Sequence, residues 1–234
     1  MTFVYVVFDR PGCEYYSILA ETLHVSIEKN CPFANIIRIE TDPPGLVPGK
    51  PRGHVDNTEK LSTWNDQVQK IKDDIILIDC DIVLNRDITQ AFTGDFAVGI
   101  MKRSRRNPNP YNGGIVFVRN CEKAKRFVNE WNKNNQLFFN NNAAYNKYRS
   151  KTLGINQAAL LATLDQDSDT KIQYFSCRIW DACPEDWLYV DSKTYAIHIM
   201  GNLRAAALRN INPITAPLNY KKALIIWTKY TNIG

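Results

Sequence analysis

With 234 residues, 44% of them hydrophobic, the chain can bury a large core, and its length fits a single α/β domain better than two small ones. No run of about 18 apolar residues is present to cross a bilayer, and Met1 to Phe8 leads straight into a strand-like segment without a basic region or cleavage site, so a cytoplasmic protein is expected. Six cysteines without CxxC spacing indicate neither a zinc site nor a secreted disulfide framework and suggest reduced thiols, while a net charge of +5 with pI ≈ 8.8 is compatible with a polyanionic partner without requiring one.

Val4 to Phe8 is an apolar, β-branched run that predicts a strand. It is followed by a Pro11-Gly12 turn and a helix from Glu14 to Glu28 marked by Ile18, Leu19, Leu23 and Ile27. Asn35 to Glu40 reads as a second strand, and the Pro/Gly-rich stretch from Asp42 to Pro51 as a loop extending to His54. Asn57 or Thr58 would cap the next helix, which carries Leu61, Trp64, Val68 and Ile71.

The run Asp74-Ile75-Ile76-Leu77-Ile78-Asp79-Cys80-Asp81-Ile82-Val83 is the most informative segment. Its strand is apolar enough to be buried on both faces, and it delivers Asp79 and Asp81 to its C-terminal end, where an open α/β sheet holds its ligands. Two hard carboxylates one residue apart suit Mg²⁺ or Mn²⁺, and such an ion commonly grips a diphosphate. A solvated turn after a strand would carry the same tripeptide.

Phe96 to Met101 and Ile115 to Val118 predict two further strands around a polar, proline-broken segment. That segment holds Lys102-Arg103-Ser104-Arg105-Arg106, a cluster suited to a phosphate-bearing acceptor, nucleic acid included, or to plain solvation. Asn112, Gly113 and Gly114 precede the second strand, as an ordinary turn or as a close approach of backbone to a ligand. Helices follow at Glu122 to Trp131 and Asn156 to Leu164, separated by the low-complexity patch Asn140-Asn141-Asn142.

Asp165-Gln166-Asp167-Ser168-Asp169 imitates a calcium loop but has Thr170 at the glycine position and Ser176 at the closing glutamate. Trp187 to Val190 and Tyr195 to Ile199 read as strands, and Arg204 to Arg209 as a short helix. His198-Ile199-Met200-Gly201-Asn202-Leu203-Arg204 spaces an imidazole, a glycine and a guanidinium three residues apart, fit for a metal ligand and a diphosphate clamp. Leu218 to Gly234 is a docking helix, an edge strand or a membrane-surface patch. Strands alternating with helices predict a mostly parallel sheet covered on both sides. No GxGxxG, P-loop or Gly-x-Ser-x-Gly motif is present.

In order, these landmarks resemble the GT-A nucleotide-sugar glycosyltransferases, most closely glycosyltransferase family 8, over roughly residues 2–204. The resemblance implies a single GT-A-like catalytic domain over 1–234, with a nucleotide- and metal-binding half at 1–120 and a donor-sugar closing and acceptor half at 121–234. It implies Mn²⁺ or Mg²⁺ on Asp79, Asp81 and His198, and a nucleoside-diphosphate sugar, UDP-linked by preference, on Asp9, Tyr15, Lys60, Asp79, Asn112, Gly113, Gly201 and Arg204. Tyr16 is an alternative to Tyr15 at the base. Gln157, Asn112 and Asn156 would stand at the reacting sugar. Arg204 occupies the position of the family's lysine, and Asn156-Gln157 that of its Asp-Gln pair, so Asn156 has no carboxylate to act as base or nucleophile, and front-face transfer with retention is implied. Two other classes remain open: a sugar-1-phosphate nucleotidyltransferase, for which Arg10-Pro11-Gly12-Cys13 makes a poor phosphate loop, and a non-catalytic nucleic-acid-binding module.

Overall fold

The computed structural model describes residues 1–8, 15–104, 107, 109–152 and 154–231; Asp9, the Pro11-Gly12 turn, Arg105 and Arg106 lie outside the described residues. The elements in chain order are β1 (Thr2–Phe8), α1 (Tyr15–Asn30), β2 (Asn35–Thr41), α2 (Arg52–Lys70), β3 (Ile75–Ile78), β4 (Ile82–Leu84), β5 (Val98–Lys102), β6 (Tyr111–Val118), α3 (Glu122–Asn140), α4 (Asn142–Arg149), α5 (Ile155–Gln166), β7 (Ile172–Ser176), α6 (Cys177–Trp180), β8 (Ala196–His198), α7 (Gly201–Leu208) and α8 (Leu218–Thr231).

The main sheet has six strands in the order β2-β1-β3-β6-β5-β7, and all pairings are parallel except the two that β6 makes. Its direction matters for the site. Because β6 runs against β3, its N-terminal residues arrive at the edge where β3 ends, so Asn112 to Gly114 stand beside Asp79, whose N–H donates to the Gly114 carbonyl at 2.8 Å.

One face of the sheet is covered by α2, α3 and α5, with Trp64, Phe127, Trp131 and Leu160 in the core between them. The other face packs Leu23 and Ile27 of α1 with Phe92, Phe117 and Phe175. A third apolar cluster joins α7 and α8 to the two-stranded β4-β8 ribbon through Val83, Ile197, Leu203, Leu224 and Trp227. Burial of this kind contributes roughly 1.5–3 kcal/mol per large apolar side chain before chain entropy is set against it.

Several boundaries differ from the sequence expectation for local reasons. α2 begins at Arg52, not at Asn57 or Thr58: Pro51 sets the entry with φ −58°, and Arg52 pairs with Asp56 at 2.9 Å across the first turn. His54 therefore sits on a helix, not in the loop. Thr58 is no cap; it accepts a 2.8 Å hydrogen bond from Asn135 Nδ2 on α3. Asn112 to Gly114 belong to β6 itself instead of preceding it. The asparagine patch is a helix junction, where the Asn141 carboxamide oxygen caps α4 by accepting from the N–H groups of Ala143 and Ala144 at 3.0 and 3.1 Å.

Trp187 to Tyr189 forms a short 3-10 turn, not a strand, with the Trp187 indole N–H donating to the Ala182 carbonyl at 3.2 Å. β7, an edge strand beside β5, had no counterpart in the sequence reading. The acidic run ends in a local turn, with Asp167 Oδ1 accepting from the N–H groups of Asp169 and Thr170, each at 2.9 Å. The C-terminal segment resolves as the docking helix: Asn30 Nδ2 of α1 donates to the Tyr230 hydroxyl of α8 at 2.9 Å. No helix among the described residues is long and apolar enough to cross a membrane.

Candidate active site

After Ile78 the chain leaves the main sheet through Asp79-Cys80-Asp81 and enters the β4-β8 ribbon, in which Ile82 is registered opposite His198. The Ile199 N–H donates to the Asp81 carbonyl at 2.7 Å, which fixes the imidazole against the second carboxylate. One ligand atom each from Asp79, Asp81 and His198 fall within 4.8 Å of one another. His198 Nε2 lies 3.2 Å from Asp81 Oδ1 and 3.9 Å from Asp79 Oδ2.

The remaining carboxylate oxygens are held by cations. Lys60 Nζ on α2 donates to Asp79 Oδ1 at 2.5 Å, and Arg204 Nη2 on α7 donates to Asp81 Oδ2. Each aspartate thus has one oxygen tied back and one turned toward Nε2, a donor set of two hard oxygens and an imidazole that suits Mn²⁺ or Mg²⁺.

The electrostatics agree. Burial pushes the Asp79 carboxyl up, against the pull of Lys60. Burial acts on Asp81 in the same direction, but His198 and Arg204 outweigh it and hold Asp81 well below the usual carboxylate range. Burial would lower the His198 imidazole, yet Asp81 and Asp181 raise it well above its ordinary value. An imidazolium, an ammonium and a guanidinium therefore supply the positive charge that the buried carboxylates require. A divalent ion would replace the imidazolium proton, its binding releasing that proton.

Behind His198 lies Asp181, fully buried, with Oδ2 3.5 Å from Nδ1. Asn112 Nδ2 donates to the same oxygen at 2.6 Å and approaches Cys183 Sγ at 3.2 Å. Asp181, Cys183 and His198 form a second potential ligand group, but it is sealed from solvent, whereas the Asp79 group opens on a cleft. Gly114 makes the arrangement possible. At a bulge in β6, Asn112 pairs with Met101 while Val116 pairs with Ile100, and the intervening Gly113 and Gly114 face different neighbours. A Cβ on Gly114 would lie 2.6 Å from His198 Cε1, and one on Gly113 3.4 Å from Trp131 and 3.7 Å from Asn156 Nδ2. Gly201 opens α7 at φ +52°, a left-handed conformation natural to glycine.

A cleft of ≈ 190 Å³ leads to the carboxylates, lined by Val6, Phe8, Tyr16, Lys60, Cys80 and Asp81 among others. Tyr16 accepts a 3.2 Å hydrogen bond from Arg204 Nη1, and burial pushes its phenol up to about 12. Both tyrosines pack against the α7-α8 cluster, and of the two it is Tyr16 that lines the cleft. Lys60 sits 4.6 Å over the Trp64 ring.

Of the expected residues, Lys60, Asp79, Asp81, His198 and Arg204 come together, with Asn112 behind His198. Gly201 is part of the turn that leads from His198 to Arg204. Asn156 is buried against Gly113 and its backbone carbonyl accepts from the Trp131 indole at 2.8 Å. Gln157 packs on Gly154, whose Cβ would lie 2.4 Å from Gln157 Oε1. Asp181 was missed. Its one sequence signal is an acidic residue inside the apolar run Ile179-Trp180-Asp181-Ala182-Cys183.

A family model described as nucleotide-diphospho-sugar transferase matches residues 63–206. Among solved structures the chain is similar to a glycosyltransferase involved in the glycosylation of the major capsid of PBCV-1, at 13% identity over 87% of this chain and 95% of that one, with a TM-score of 0.64. It is also similar to the galactosyltransferase LgtC in complex with donor and acceptor sugar analogs, at 12% identity over 100% and 98% of the two chains, with a TM-score of 0.56. The apo-form glycosyltransferase GlyE of Streptococcus pneumoniae aligns at 11% identity with all of this chain and 60% of its own, with a TM-score of 0.61. No curated protein sequence matches. At these identities the structural likeness establishes the GT-A fold alone.

Proposed function

Because the chain belongs to the nucleotide-diphospho-sugar transferase family, we propose that it transfers a sugar from a UDP-sugar to an acceptor hydroxyl with retention, using Mn²⁺ or Mg²⁺ held by Asp79, Asp81 and His198. The observation that carries this reading is the division of labour at the carboxylates: one oxygen of each is fixed by Lys60 or Arg204, and the other faces Nε2.

A divalent ion held by Asp79, Asp81 and His198 would offset the charge that develops on the departing diphosphate. Arg204 and Lys60, on the two carboxylates, would donate to the phosphate oxygens, and Tyr16 with the apolar walls Val6 and Phe8 would receive the base and ribose. Asp181, held by Asn112, keeps His198 oriented with Nε2 toward Asp79 and Asp81. Gln157 meets the sugar's hydroxyls from the start of α5. The acceptor hydroxyl oxygen bonds to the anomeric carbon on the face from which the diphosphate leaves. The carbon–oxygen bond to the diphosphate breaks with its electron pair, and the diphosphate takes up the hydroxyl proton. Within one domain, residues 1–120 then supply Lys60, Asp79 and Asp81 to nucleotide and metal, and 121–234 supply Gln157 to the sugar together with His198 and Arg204, which reach back to the carboxylates.

The nucleic-acid-module reading finds less support. Lys102 lies 4.9 Å over the Tyr174 ring, and Arg103 pairs with Glu185 at 3.6 Å, so both are engaged within the chain.

A thermal-shift and calorimetry panel of UDP-, GDP- and TDP-sugars, with and without Mn²⁺, tests the proposal on wild type and on Asp79→Asn/Asp81→Asn. Mn²⁺-dependent stabilisation by a UDP-sugar, lost in the double variant, is expected. Binding of none of the nucleotide sugars would overturn the donor assignment, and an inverted anomer seen by proton NMR would overturn retention.

A further inference from the structure

A second cleft, of ≈ 470 Å³, lies on the other side of the first turn of α2. Gly53, Asp56, Asn57 and Lys60 line the first cleft, whereas Lys50, Pro51 and His54 line the second. Its far wall is α4, with Asn142, Tyr145, Asn146 and Arg149, and it reaches Gly154, on which Gln157 packs. The two clefts therefore flank the start of α2, and the second ends beside the residue assigned to the donor sugar.

Its chemistry is one-sided. Among the described residues the lining includes a lysine, an arginine and a histidine and no aspartate or glutamate. Lys50 Nζ donates to Asn142 Oδ1 at 3.2 Å and lies 5.3 Å over the Phe139 ring, both neutral partners. Burial lowers the His54 imidazole, and Lys50 and Arg149 lower it further, so both cations bear on the same spot. Tyr145 meets the His54 ring edge-on at 5.4 Å. A lysine with neutral partners and an arginine lining the same cleft favour an anion, and aromatic rings with the carboxamides of Asn142 and Asn146 suit the faces and hydroxyls of a sugar.

The donor does not need these charges. In the proposed function its diphosphate would be met by Lys60, which lines the first cleft, and by Arg204 and the ion on the carboxylates that line it.

We propose that this second cleft is the acceptor site and that the acceptor is a saccharide bearing an anionic group, a carboxylate or a phosphate, held between Lys50 and Arg149. The inference rests on the glycosyl-transfer reading above and names the substrate class of its open half.

The test uses the full chain and three matched trisaccharides, ending in glucose, in glucuronate and in glucose 6-phosphate, titrated by calorimetry at low salt without donor. The acidic sugars are expected to bind about tenfold or more tightly than the neutral one, with the two acidic arms identifying the preferred anion. Lys50→Gln and Arg149→Gln, checked for unchanged thermal unfolding, should each lose most of that preference. Equal affinity for acidic and neutral sugars, no binding of any at 10 mM (roughly the weak limit of such titrations), or acid binding that survives the Lys50→Gln/Arg149→Gln double substitution would each overturn the inference. Inorganic phosphate that binds as tightly as the phosphorylated sugar would overturn its saccharide part. UDP-sugar binding with Mn²⁺ is measured on the same samples. Donor binding without acid preference removes this inference alone, whereas absent donor binding removes the transfer reading beneath it.

Discussion

Asp181 and His198 form a sealed pair: the Asp181 carboxylate is fully buried, lies 3.5 Å from the inner nitrogen of the imidazole, and is itself held by a 2.6 Å hydrogen bond from Asn112. This contact sets which imidazole nitrogen is left to face Asp79 and Asp81. Asp181→Asn should keep the fold and weaken Mn²⁺ binding by about 10–100-fold, read by calorimetry with the metal alone. Unchanged Mn²⁺ affinity would remove Asp181 from the site.

Asp81 carries more than its share of the local charge, meeting His198 on one oxygen and Arg204 on the other. Asp81→Asn should lower sugar transfer by about 10²–10³-fold. The loss should persist at saturating nucleotide sugar, which steady-state kinetics would check.

Gly114 and Gly53 make an informative contrast. A Cβ at Gly114 meets His198 at 2.6 Å, while one at Gly53 meets nothing within 4 Å. Gly114→Ala should destabilise by about 1–3 kcal/mol and lose metal binding, whereas Gly53→Ala, in the first turn of α2, should stabilise by about 0.5–1 kcal/mol. Denaturant unfolding of both variants measures the difference.

Asp186 gives the fold a pH dependence away from the ligands. Burial, reinforced by Glu185, raises its carboxyl from 3.8 to about 6 against the pull of Arg178 and Arg103. The folded protein therefore holds this proton more tightly than the unfolded chain, so the group's favourable contribution is complete below pH 3.8 and is lost as pH rises through about 6. Asp186→Asn should raise Tm at pH 7.5 and leave it unchanged near pH 4, as thermal unfolding across that range would record.

The carboxylates of the cleft were readable because their signal is local. A buried strand ending in Asp79 and Asp81, and a histidine and an arginine at fixed spacing after another, declare themselves within ten residues. What stayed hidden depends on pairing at a distance. The role of Asp181 exists only because β8 lays His198 beside it, and the inward turn of Asn112 depends on the bulge opposite β5. α4 was masked by its asparagines, which act as a cap, and β7 by its polar edge, where Tyr174 stays half-exposed. The start of α2 was obscured because proline and glycine read as a loop where Pro51 in fact begins a helix.

The pairing of Ile82 with His198 has a consequence for how the protein is made. During synthesis, Asp79 and Asp81 emerge long before the strand that brings His198, and before Arg204, which holds the second carboxylate. Until then the two carboxylates have, of the three cations that meet them, Lys60 alone. The Asp79-Asp81-His198 cluster thus forms only once β8 is in place, and a nascent chain that ends before β8 would carry the acidic motif without its imidazole.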